Sequence, residues 1–148
     1  MEKIKLLIFG LPGSGKTTLA SKLSKELKCV WFNGDETRSG LYPSLGFSEA
    51  GRLEQARRMS LLCDIVLRAN NIVIADFVCP TERARTIFGA NFTIFMDTIK
   101  ESEYEDTNKI FERPRSEPTL TIKSFEKAND VNAVLKFIYE VQYKGHSN

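Results

Sequence analysis

Residues 10 to 17, GLPGSGKT, constrain this chain more than any other stretch. They match the spacing G-x-x-x-x-G-K-[ST] through Gly10, Gly15, Lys16 and Thr17. The flanks are those the spacing requires. IKLLIF at 4 to 9 reads as a buried strand, and Leu19, Ala20, Leu23 and Leu27 recur at helical spacing within 16 to 27. Glycines at such a strand-to-helix turn let backbone N–H groups point inward around phosphates, and the helix N-terminus adds its positive end. Lys16 is then placed to neutralise β and γ oxygens, and Thr17 to hold Mg²⁺. Gly13, Ser14 and Thr18 belong to the same turn and complete the expected nucleotide-binding set. The alternative, an ordinary glycine turn, fits the flanks less well.

The motif implies a nucleotide but not a reaction. A guanine-specific switch protein would need N-K-x-D, and the Asn108-Lys109 pair is followed by Ile110 and Phe111. Beyond the motif, apolar runs alternate with amphipathic segments. Strands are expected at 29 to 33, 71 to 76, 92 to 97 and 120 to 122. Helices are expected from an N-cap at Ser48 to about Asn70, from Pro80 to Phe88, and from Val131 to Tyr143. This alternation predicts an α/β fold, a mainly parallel five-stranded sheet flanked by helices in three layers, within a single domain over 1 to 148. Thr98 to Pro118, rich in Glu, Asp, Asn and Pro, is expected as a loop over the sheet's C-terminal edge, where such folds bind ligands.

Composition narrows the partners. The 148 residues are 42% hydrophobic with a formal net charge of +2, enough for one core and too little basic excess for a stable nucleic-acid complex. The apolar run near the N-terminus is too short for a signal peptide's hydrophobic region or a membrane span, so no membrane partner is expected. Cys29, Cys63 and Cys79 are odd in number and lack CxxC spacing, which argues against a disulfide framework or a zinc site and for a cytoplasmic location. His146 lies in the polar tail YKGHSN and reads as a solvated residue. A small-molecule substrate is expected, and a homodimer is left open.

The segment after the second strand, NGDETRSGLYPSLGFSEAGRLEQARRM at 33 to 59, carries the acceptor chemistry. Asp35 falls where a carboxylate can accept a substrate hydroxyl proton or steer magnesium; its alternative role is capping the following turn. Arg38 and Arg52 are candidates for holding an anionic group through forked hydrogen bonds. Of Arg57 and Arg58, at least one reads as a solvated face. Phe47 is either core filler or a ring that stacks on a base.

Four blocks, GLPGSGKTTLA, NGDETRSGL, LGFSEAGRLEQARRM and IADFVCP, resemble those of the adenylylsulfate kinase (APS kinase) family, which read roughly GLSGAGKTT, DGDNVRHGL, LGFSPEDREENIRR and SFISP. Their order and spacing agree over residues 4 to 97, and KIFERP is similar to the later PYEPP block. The resemblance implies a P-loop kinase fold with ATP and Mg²⁺ as cofactors. The implied reaction is phosphorylation of the 3′-hydroxyl of adenosine 5′-phosphosulfate, giving 3′-phosphoadenosine 5′-phosphosulfate. It implies catalytic roles for Asp35 and Lys16, and metal roles for Thr17 and Asp35. Substrate contacts are implied at Arg38, Phe47, Arg52, Gln55, Phe77, Cys79 and Tyr104.

The departures are equally specific. Gln55 stands where the family has Asn, and Cys79 where it has Ser, so a hydroxyl donor becomes a weak thiol. Asp76 replaces a small residue and reads either as a carboxylate near the magnesium water or as a strand-end acid. The basic lid of the family is shortened to TIKESEYEDTNKIF, with acids in place of lysines and arginines and with Tyr104 near the second adenine-stacking position. In this the chain is similar to compact versions from bacteriophages. Two further readings stay open, a P-loop kinase for another small-molecule or nucleic-acid hydroxyl, and a nucleotide-binding module without turnover.

Overall fold

The alternating apolar and amphipathic segments form a five-stranded, entirely parallel sheet in the computed structural model, which describes residues 1 to 144. His146 lies outside the described residues. The strands are β1 (Ile4–Phe9), β2 (Val30–Asn33), β3 (Ile72–Asp76), β4 (Phe92–Met96) and β5 (Leu120–Ile122), in the spatial order β2-β3-β1-β4-β5. The helices are α1 (Lys16–Leu27), α2 (Gly34–Leu41), α3 (Glu49–Val66), α4 (Glu82–Phe88), α5 (Glu105–Ile110), α6 (Phe125–Ala128) and α7 (Val131–Tyr143).

β1 is buried along its whole length because both faces of the sheet are covered. The period-2 alternation of a strand divides its side chains between two cores. Ile4, Leu6 and Ile8 pack with Leu19 and Leu23 of α1 and Ile138 of α7, while Leu7 and Phe9 pack with Ala56, Met59 and Cys63 of α3 and Phe88 of α4. Lys5 is the polar break in that second face. Its ammonium is accommodated by Ser60 Oγ at 2.7 Å and Asp64 Oδ1 at 2.9 Å. No helix among the described residues is long and apolar enough to cross a membrane.

Several expected boundaries move. α3 ends at Val66, with a turn carrying the chain to Asn70, and the fourth helix starts at Glu82 rather than Pro80. α2 was not expected, because GDETRSGL carries two glycines. It forms because Asn33 caps it, with Oδ1 accepting from Glu36 N at 3.0 Å, and because Asp35 and Glu36 lie at the positive end of the helix. Gly34 is required there by close packing, since a Cβ would sit 2.6 Å from Cβ of Phe77.

The larger correction concerns 98 to 118, expected as a plain loop. It contains α5 and is fastened to the body as a strap. Thr98 Oγ1 donates to Ser14 O at 2.7 Å, Glu112 N to Pro80 O at 2.7 Å, and Arg113 forms a fork on Asp97 at 2.9 and 2.7 Å. Ser102 and Asn108 close a small ring of hydrogen bonds ahead of α5 and within it.

Candidate active site

The turn from β1 to α1 takes the shape its glycines permit. Gly10, Gly13 and Gly15 have φ of 153°, 81° and 98°, values that L side chains rarely adopt. Space adds a second constraint at Gly10, where a Cβ would fall 2.8 Å from Met96 O and 3.0 Å from Ser14 Oγ. Ser14 Oγ is fully buried and has no hydrogen-bond partner among the described residues. A buried hydroxyl of this kind is a vacant valence suited to a phosphate oxygen. Lys16 Nζ donates to Leu11 O at 2.9 Å, folded back onto its own turn. Burial pushes its pKa down to about 8, against the opposing pull of the Asp76 and Asp35 carboxylates. Thr17 and Thr18 open α1 at the surface.

Asp76 ends β3, beside Asn33 of β2 in the sheet register. It is 1% exposed and accepts three side-chain donors, Trp31 Nε1 at 2.7 Å, Asn33 Nδ2 at 3.1 Å and Thr17 Oγ1 at 3.3 Å. Asn33 Nδ2 also reaches Thr17 Oγ1 at 3.1 Å. Burial raises the Asp76 pKa, and the hydrogen bonds from Trp31 and Asn33, with the Lys16 charge, work against that rise. Asp76 is thus bound directly to the threonine of the turn, more than a strand-end acid requires. Trp31 and Asn33 were missed as site residues. The signal was present in VWFN, whose alternation places both on one face of an edge strand.

Asp35 lies in the first turn of α2, exposed, and its carboxylate acts electrostatically on both Lys16 and Arg38. Arg38 and Arg52 are both buried at 8% exposure, and they hold the chain between α2 and α3. Arg38 donates through one terminal nitrogen to Leu45 O at 2.8 Å and Gly46 O at 3.2 Å, and through the other to Gln55 Oε1 at 3.0 Å. Arg52 donates to Phe47 O at 3.1 Å and to Thr107 Oγ1 at 2.7 Å. The Phe47 ring is 67% exposed and covers both guanidiniums, at 4.2 Å from Arg38 and 5.6 Å from Arg52. It is therefore not core filler.

Gln55 is buried and links Arg38 to Gly34 O, the latter at 3.4 Å, so the longer amide is accommodated within the protein. Phe77 and Cys79 are buried beside it in the α3 and α4 core, Phe77 edge-on to Phe88 at 5.6 Å and Cys79 on a left-handed backbone with φ of 43°. Burial raises the Cys79 thiol far above its ordinary range. Tyr104 precedes α5 and is 60% exposed. Arg57 and Arg58 both pair with Glu54, and Arg58 also leans over the Tyr42 ring at 5.0 Å. Thr107 and Arg85 also escaped notice. Arg85 lies between the Phe9 and Phe111 rings at 4.4 and 5.3 Å and donates to Cys79 O, Pro80 O and Glu112 O.

The family model described as adenylylsulphate kinase matches residues 2 to 130. The chain belongs to that family. An adenylyl-sulfate kinase of Bacteroides thetaiotaomicron is 36% identical, covering 77% of this chain and 63% of that protein. One from Geotalea daltonii is 40% identical over 59% of this chain and 47% of its own length. The chain thus spans about half to two thirds of these curated relatives. Among solved structures, the fold is similar to that of the Mycobacterium tuberculosis APS kinase CysC in complex with AMPPNP and APS. The TM-score is 0.73 at 23% identity, over 91% of this chain and 98% of that one. It is also similar to a hexameric APS kinase from Thiobacillus denitrificans, with a TM-score of 0.74 at 24% identity, over 96% of this chain and 30% of that one.

Proposed function

We propose that this member of the adenylylsulphate kinase family transfers the γ-phosphoryl group of ATP to the 3′-hydroxyl of adenosine 5′-phosphosulfate. In this reading the chain works as one P-loop domain with 98 to 118 as its lid. The carrying observation is the position of Asp35 in the first turn of α2, on the same short helix as Arg38 and just after the Asn33 cap that is bonded to Thr17 of the phosphate turn at 3.1 Å. A proton acceptor between a phosphate site and an anion site is what transfer between two nucleotides needs.

Lys16 leaves Leu11 O for the β and γ oxygens, and Ser14 Oγ gains the partner it lacks. The phosphates favour the charged ammonium, against the effect of burial. Arg38 and Arg52 hold the phosphosulfate, while Phe47 covers one face of the acceptor's adenine and Tyr104 the other. Asp35 takes the 3′-hydroxyl proton as the new O–P bond forms, and the electron pair of the broken bond leaves with ADP. Thr17, Asp35 and Asp76 would hold Mg²⁺, which neutralises phosphate charge. The donor set suits that ion, which is commonly held by one or two carboxylates plus substrate phosphates.

The test is product formation from MgATP and adenosine 5′-phosphosulfate, with the 3′-deoxy analogue as control. We expect 3′-phosphorylated product from the first acceptor alone, and Asp35→Asn to lower kcat by about 10² to 10⁴-fold. Transfer to a different hydroxyl compound, with none to adenosine 5′-phosphosulfate, would replace the acceptor and keep the kinase. ATP binding without transfer to any acceptor would leave a nucleotide-binding module.

A further inference from the structure

Arg52 reaches two elements far apart in sequence. Its Nε–H donates to Phe47 O at 3.1 Å, on its own side of the site, and one terminal nitrogen donates to Thr107 Oγ1 at 2.7 Å, on α5 of the strap. Thr107 is 5% exposed and is the buried residue of α5, whose other positions include the exposed acids Glu105 and Asp106. A helix that carries acids on exposed positions thus turns a neutral hydroxyl to Arg52.

The choice of a hydroxyl has a physical consequence. Arg52 is already burdened by burial and by the positive charge of Arg38, both of which disfavour its charged form. A carboxylate at position 107 would relieve that burden through a paired fork, but it would also neutralise the charge an anionic substrate must meet. A hydroxyl accepts one hydrogen bond and fixes the plane of the guanidinium while leaving the charge unspent. The same strap begins at Thr98, whose hydroxyl is bonded to Ser14 O of the phosphate turn. Both ends of a ten-residue span are therefore tied through threonine hydroxyls, one to the donor side and one to the acceptor side.

We propose that Thr107 is a positioning residue for the acceptor, through which the shortened lid orients Arg52 without neutralising it. This inference rests on the acceptor role given to Arg52 above. The lid then contributes orientation where a basic lid would contribute charge, and the acids of ESEYED are tolerated because all four are exposed, Glu101 and Glu103 ahead of α5 and Glu105 and Asp106 on it.

The experiment compares Thr107→Val, Thr107→Ser and Thr107→Asp with the parent, measuring acceptor KM, ATP KM, kcat and Tm. Thr107→Val should raise the acceptor KM about tenfold with ATP KM and kcat little changed, as for one lost hydrogen bond to a charged group. Thr107→Ser should bring the acceptor KM back to within about twofold of the parent. Thr107→Asp should keep or raise Tm by pairing with Arg52, yet raise the acceptor KM about 100-fold. A purely structural Thr107 gives the reverse pattern, with Tm lowered by Val and the acceptor KM of every variant equal to the parent's, and that result overturns the inference. Should the parent fail to use adenosine 5′-phosphosulfate while all variants use some other acceptor equally, the proposed substrate and the positioning role both fall. Should the parent use it and Thr107→Asp use it equally well, the positioning role alone falls.

Discussion

The phosphate turn at 10 to 17 and the strap at 98 to 118 are both irregular segments at the same end of the sheet, and they treat their polar groups in opposite ways. The turn keeps valences open. Ser14 Oγ is buried without a partner among the described residues, and Lys16 rests on a carbonyl of its own loop with its charge disfavoured by burial. The strap closes its valences on the protein. Glu82 receives the backbone N–H of Arg115 at 2.6 Å and that of Ser116 at 3.4 Å, Arg85 takes Glu112 O at 2.6 Å, and Arg113 is forked onto Asp97. A segment built to receive a ligand carries an unmet electrostatic demand, whereas a segment built to hold a position does not. The difference separates what a ligand will change from what folding has already fixed.

The contrast can be broken most severely at Lys16. Lys16→Ala should lower phosphoryl transfer by about 10³-fold or more with any acceptor, because the reaction is mostly positioning and electrostatic stabilisation. Stability should hold or rise, since a disfavoured buried charge is removed; steady-state transfer assays alongside thermal unfolding check both. Arg85→Met, at the α4 side chain that holds the strap, is the counterpart. It takes the guanidinium away from the carbonyls of Cys79, Pro80 and Glu112, of which Pro80 O keeps only the Glu112 N–H, and should destabilise the fold by about 3 kcal/mol in denaturant titration, with ATP affinity little altered. Loss of ATP binding in that variant would show that the two segments are not separable in this way.

The smallest effect is a pH dependence. The folded-state pKa of Lys16 is about 8 against an ordinary 10.5, so the native state binds fewer protons than the unfolded chain between those values. Stability from this group therefore rises with pH across that window. The thiols of Cys29 and Cys63, pushed up to about 11 and 12 by burial, act in the opposite sense above an ordinary value of 9.0, because only the unfolded chain ionises there. The clean window is thus pH 8 to 9, where the parent should gain about 1 kcal/mol relative to Lys16→Met. Saturating MgATP should flatten that difference, since phosphate oxygens favour the charged lysine.

The same contrast explains what could be read from the sequence. The turn was legible because its demands are local and fall on residue types that cannot be exchanged, glycines at positive φ and a lysine at a helix start. The five strands were legible because each is an apolar run of the right length. The strap was not, because its order comes from partners remote in sequence. Arg85 is 27 residues from Glu112, Arg52 is 55 from Thr107, and Thr98 is 84 from Ser14. Composition there, rich in Glu, Asp and Pro, described the solvent side only. Asp76 shows an intermediate case. Its place after IVIA was visible, but its bond to Thr17 depended on β3 lying beside β1, a fact of sheet order.

Arg38 and Arg52 have their rotamers fixed by the carbonyls of Leu45, Gly46 and Phe47 before any ligand is present. An arginine side chain carries about 2 kcal/mol of rotamer entropy. In this protein that loss is incurred when the chain folds, so an incoming anion meets a pair of cations already immobilised. Affinity then depends on exchange, carbonyl oxygens for charged ones, more than on ordering. Binding of the acceptor should therefore carry a small conformational-entropy penalty, because the rotamer loss is already offset on folding by the hydrogen bonds that fix the two guanidiniums.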